Sequence, residues 1–180
     1  MSSDKSGVHV VEIRSDIQAF TAPQCGFHRF NFQLSGRTAL IDFELAKQTR
    51  RKPGHLVAGS FAFIPSGTEA KARIAGGPFH ILQVMIPRSQ MCKALEDVTG
   101  MSSNDDDMFG HIGSAGPSFL RIGQLFRHEY SNAAKGSSEM LGHLSEMLCI
   151  ELAREFDGTG QDKMSTAALS AQEERRVVDM

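Results

Sequence analysis

The side chains able to do chemistry are plentiful in this 180-residue chain, which carries seven histidines and three cysteines, but their spacing assembles little of it. His9, His55, His111, His128 and His143 fall at no interval that would bring imidazoles onto one ion. Cys25, Cys92 and Cys149 are odd in number, far apart and without a CxxC pair, so they read as buried apolar residues of a reducing cytoplasm. The acidic run Asp105 to Asp107 lacks the glycine and distal glutamate of a calcium loop. Arg50, Arg51 and Lys52 form a short basic run with no interleaved aromatics, which suits a solvated turn better than a nucleic-acid patch. No catalytic residue, metal ligand or cofactor is expected.

Binding is a better prospect than catalysis. His28 shares a strand face with Phe30, and His80 shares one with Leu82, so each could point inward and touch a ligand, or be a core histidine satisfied by a backbone group. Phe30, Phe32, Phe43, Phe61 and Phe63 could form an apolar cage for an effector, or simply be core. Arg73, or Arg37, could hold an acidic effector by a bidentate contact, or be solvated. The candidate ligand-binding set is His28, Phe30, Phe32, Phe43, Phe63, Arg73 and His80.

The elements that would position these residues are mostly strands. FHRFNFQL, ending at Leu34, alternates Phe30, Phe32 and Leu34 with Arg29, Asn31 and Gln33, the period of two of a half-buried strand. TALIDFEL groups Ala39, Ile41, Phe43 and Leu45, and the turn signal from Ser35 to Arg37 predicts that the two strands pair as a hairpin. HLVA, SFAFIP, EAKARIA and FHILQVMI add further short strands, broken at Pro53 and Gly54, at Ser66 and Gly67, and at Gly76 and Gly77. Short strands so closely spaced predict an all-β barrel or sandwich.

Beyond Pro87 the period lengthens. Met91, Leu95 and Val98 predict a short helix, and the polar stretch from Met101 to Gly116 a surface loop. Two longer helices follow, one with Phe119, Ile122, Phe126 and Tyr130 in register, the other with Leu141, Leu144, Leu148 and Leu152. Met140 and Met147 widen the second stripe, enough for two neighbours, one of them from another subunit. Residues Gly158 to Ala168 read as a flexible linker. Ser170 and Glu173 then form a capping box that opens a helix with no stop signal, as expected of a chain cut short inside a further domain.

Bulk properties narrow the class. A hydrophobic fraction of 41% permits one sizeable core, and a net charge of -2 lacks the basic excess of a phosphate-neutralising surface. No stretch approaches the roughly 18 apolar residues that span a bilayer, so a cytoplasmic protein without membrane contact is expected.

The segment RRKPGHLVAGSFAFIPSGTEAKARIAGGPFHILQVMIP resembles the sensor domains of AraC-type transcription regulators, which have the cupin fold. Gly59, Pro65 and Gly67 match the cupin pattern GxxxxxPxGxxH, but Ala70 stands where its metal-binding histidine belongs. The HxH pair of the other cupin motif is also missing, since Arg29 and Phe30 follow His28. The closing LSAQEERRVVDM is similar to the helix that opens the regulators' DNA-binding domain. The resemblance implies an α+β, mainly β fold: a double-stranded β-helix, or jelly-roll barrel, followed by two or three helices. It divides the chain into an effector-binding barrel over 1–100, a loop and helical dimerisation region over 101–157, and a linker with the start of the helix-turn-helix domain over 158–180. The implied partners are an unknown small-molecule effector, a second copy pairing through Leu141, Leu144, Leu148 and Leu152, and DNA only through the domain missing from this chain. The competing expectation is a small metal-dependent cupin enzyme, an isomerase or dioxygenase, which the loss of metal ligands disfavours.

Overall fold

A computed structural model describes residues 7–16, 19–45, 54–100, 108, 110–114 and 116–156. Residues 158–180, where the linker and capping-box helix are expected, lie outside the described residues.

Nine strands are described: β1 (His9–Ser15), β2 (Ala19–Ala22), β3 (Phe27–Ser35), β4 (Arg37–Leu45), β5 (Gly54–Val57), β6 (Ser60–Ile64), β7 (Ala70–Gly76), β8 (Phe79–Pro87) and β9 (His111–Ser114). They form a five-stranded sheet in the order β1-β8-β3-β6-β9 and a four-stranded sheet in the order β2-β7-β4-β5. Neighbouring strands run antiparallel throughout. Helix α1 (Arg88–Thr99) lies between β8 and β9, and α2 (Pro117–Ser131) and α3, over residues 137–156, follow β9. A β-rich jelly roll with appended helices is thus the architecture the sequence predicts.

The predicted hairpin is not formed. β3 pairs with β6 and β8, whereas β4 pairs with β5 and β7 in the other sheet. The chain changes sheets at Gly36, whose φ of 90° lies in the left-handed region, and where a Cβ would come within 2.6 Å of Pro78 O. A tight connection rich in turn residues marks a reversal equally well when it joins two sheets as when it joins two neighbours. β9, inside the stretch expected to be a surface loop, pairs with β6, and Met108 just before it is buried.

The five-stranded sheet is covered on both faces. His28, Phe30 and Phe32 stand on one side, opposite Ile86, Val84 and Leu82 of β8. Phe63 and Phe61 of β6 lie across from Phe30 and Phe32. This face joins Met91 and Leu95 of α1, Phe119, Ile122 and Phe126 of α2, and Leu144, Leu148 and Leu152 of α3 in one buried core. α2 lies close to the sheet because position 123 is glycine: a Cβ there would sit 2.8 Å from Phe32 Cδ1. Gln90 Nε2 donates to Ser145 Oγ at 2.6 Å, tying α1 to α3. The second core is smaller and lies between the sheets, built from Phe43, Leu45, Ile64, Ala70, Ala72 and Ile74.

Candidate functional site: a cavity between the sheets

Strand periodicity decides what faces the space between the sheets. With Phe30 and Phe32 turned to the helices, Arg29, Asn31 and Gln33 must point the other way. Asn31 and Gln33 border a cavity of about 280 Å³, together with Gln83, Ile81, Ala62 and Ile64 of the same sheet and Phe43, Ala72 and Ile74 of the other. The wall is chiefly apolar, and its polar groups are neutral among the described residues that line it. Gln83 Nε2 donates to Asn31 Oδ1 at 2.9 Å. Gln33 Nε2 donates to Ser35 O at 2.9 Å, and Ser60 Oγ accepts from Val57 N at 2.9 Å. An apolar enclosure with a few placed polar groups is the usual makeup of a small-molecule site.

Of the sequence-predicted ligand residues, Phe43 lines this cavity, and so does Phe61 of the expected phenylalanine cage. His28, Phe30, Phe32, Phe63 and His80 stand instead on the helix-facing side of the sheet, so the cage expected from them is core. His28 accepts a hydrogen bond from Ser66 N at its Nδ1, 3.1 Å away, and stacks on Phe63 with ring centroids 5.6 Å apart. His80 Nε2 lies 3.3 Å from Glu12 Oε2, and Arg127 Nε lies 3.5 Å from Glu12 Oε1, linking β8, β1 and α2. Arg73 is exposed, on a face of β7 that alternates with buried Ala72 and Ile74, so it lies outside the barrel. Arg37 is exposed as well.

Sequence reasoning missed the cavity-facing amides, because polar positions on a half-buried strand read as solvent-facing. A signal was present: FHILQVMI is apolar at Ile81 and Met85 as well as at Leu82, Val84 and Ile86, as a strand buried on both faces should be. Arg29 was also passed over. It is 5% exposed, donates from Nη2 to Thr68 O at 2.8 Å, and its pKa is lowered by burial. It fastens the start of β3 to the turn after β6. In that turn Gly67, at φ 68°, donates its N–H to Cys25 O at 2.8 Å.

The residues do not fit a cupin metal centre. Ala70 is fully buried among Phe43, Leu45 and Ala72, where an imidazole would have to stand. Among the described residues no three His, Cys, Asp or Glu side chains gather into a possible metal site. Burial pushes the Cys149 thiol up to about 12, leaving it protonated and a poor nucleophile at neutral pH.

The seam predicted from leucines is likewise occupied from within. Leu144, Leu148 and Leu152 are buried against the chain's own sheet, and Leu141 packs beside them. Helical periodicity marked the stripe but not which surface it would cover.

These features define a cupin-like fold with helices packed on its outer face. The chain shares that fold with ToxT of Vibrio cholerae, an AraC-type regulator. Against the structure of apo ToxT K231A the TM-score is 0.56 at 11% identity, covering 83% of this chain and 56% of that one. A second ToxT structure, bound to (E)-4-(8-methylnaphthalen-1-yl)but-3-enoic acid, gives 0.53 at 9% identity, covering 86% and 57%. This chain therefore spans a little over half the length of ToxT. The DMSP lyase DddQ of Ruegeria pomeroyi aligns over 47% of this chain and 40% of its own, at 20% identity and a TM-score of 0.37, too partial a likeness to carry chemistry across. No family model matches the chain, and no curated protein matches it either. No helix among the described residues is long and apolar enough to cross a membrane.

Proposed function

We propose that this chain is the effector-sensing and dimerisation part of a cytoplasmic AraC-type transcription regulator, a binding module and not an enzyme, acting on DNA through a further domain. The observation that carries this reading is the apolar cavity between the sheets. The fold shared with ToxT supports it, as does the small molecule bound in one ToxT structure. Because the described residues that wall the cavity are apolar or neutral, with no carboxylate, imidazole, amine or thiol among them, it can hold a guest but lacks the paired groups of an acid–base or metal-assisted site.

Filling the space tests this. Ala62 lines the cavity from β6, so Ala62→Phe is expected to fold yet lose the rise in melting temperature that a binding compound gives the native protein. A ligand at a hundred times its Kd should stabilise the unmodified chain by about 2.7 kcal/mol. A thermal-shift panel of small amides, alcohols, sugars and organic acids supplies the compounds. Stabilisation of both proteins alike would place binding elsewhere, and turnover of any panel compound would refute the non-enzymatic reading.

For dimerisation, the leucine stripe gives way to the exposed flank of α3 beside it. Met140 and Met147 are each 48% exposed and lie seven residues apart, hence on one face. The pair Met140→Glu and Met147→Glu is expected to convert a dimer to a monomer in light scattering with helix content unchanged. A mass that does not move would rule this face out.

A further inference from the structure

We infer that the cavity selects an uncharged, mainly apolar guest bearing an adjacent hydrogen-bond donor and acceptor, a carboxamide or lactam, and that Asn31 and Gln83 read that group. The inference names the ligand class of the effector site and rests on that reading.

Asn31 and Gln83 face each other across β3 and β8, and their side-chain amides are joined by the 2.9 Å bond from Gln83 Nε2 to Asn31 Oδ1. A side-chain amide has two N–H donors and a carbonyl acceptor. The internal bond therefore leaves Asn31 Nδ2 to donate and Gln83 Oε1 to accept. Turning both amides end for end leaves Asn31 Oδ1 to accept and Gln83 Nε2 to donate. In either arrangement the pair offers one donor beside one acceptor.

Of the other polar groups of the wall, Gln33 Nε2 donates to Ser35 O and Ser60 Oγ accepts from Val57 N, while the Ser15, Thr21 and Ser60 hydroxyls carry no charge with which to offset an ionised guest. A carboxylate set against the amide pair meets the acceptor with a second acceptor. It also gives up its hydration, and no cation among the described lining residues compensates. A primary amide meets both groups, and a site built this way discriminates strongly against analogues that leave a buried partner unpaired.

Octanamide and octanoate have the same number of heavy atoms and differ at this one group, so calorimetric titration of the whole chain at pH 7.5 isolates the preference. Octanamide is expected to bind at least tenfold more tightly than octanoate. N,N-dimethyloctanamide, which accepts but cannot donate, should lose that advantage. The double variant Asn31→Leu with Gln83→Leu removes both amides together and should erase the preference; the dimethyl comparison keeps the test intact should that variant fail to fold. Octanoate binding as tightly as octanamide overturns the inference, as does a preference that survives in the double variant. If such octanoate binding is abolished by Ala62→Phe, the effector site stands and only the ligand class falls. Binding of neither compound overturns the ligand class, and if the thermal-shift panel is also silent the effector reading falls with it.

Discussion

Truncation of Phe30 to alanine is expected to destabilise the fold by about 3–5 kcal/mol, the usual cost of deleting a buried aromatic ring. Phe30 is fully buried, with ring centroids 5.0 Å from Phe63 and 6.0 Å from Phe61. It lies on the sheet face that the helices cover. The melting temperature should fall by on the order of 10 °C for a domain of this size, and denaturant unfolding gives the free energy directly. A wall residue of a ligand cage would behave differently, widening the cavity at modest cost to the fold. A loss below about 1 kcal/mol would therefore contradict the assignment of this face to the core.

Leu148→Asp should be more damaging still. The side chain is fully buried beneath α3 in the same core. An aspartate there would be a charge taken out of water without a partner, for which losses above about 4 kcal/mol are characteristic. The variant is expected to be insoluble or to lack cooperative unfolding by circular dichroism. Met147→Asp, one residue away but half exposed, should stay soluble with its secondary structure intact, even where it parts the proposed dimer. A folded, soluble Leu148→Asp monomer would show instead that the leucine stripe is an intersubunit seam.

The contrast between these neighbouring positions shows what was legible beforehand. Period two located β3 and β4, period three to four located the three helices, and the match of Gly59, Pro65 and Gly67 pointed to the jelly roll. What periodicity cannot supply is the identity of whatever lies on each face. Phe30 and Asn31 alternate as core and solvent would, yet Phe30 meets helices and Asn31 borders the internal cavity. The leucines of α3 were visible as a stripe, but choosing between a sheet and a second subunit needs the sheet's position. β1, β2 and β9 were missed for a related reason. Each is short or lies toward a sheet edge, and its order derives from a partner strand distant in sequence.

One consequence follows from the absence of a side chain at position 123. Asn31 and Phe32 are consecutive on β3, the first bordering the cavity and the second pressed against the α2 backbone with no room for even a methyl group between them. A guest that displaced Asn31 would carry Phe32 along, and the close approach at Gly123 leaves the helix little slack in which to absorb the push. On the proposed reading β3 would serve as a stiff diaphragm, through which occupancy inside the barrel would be felt on the surface that carries the helices.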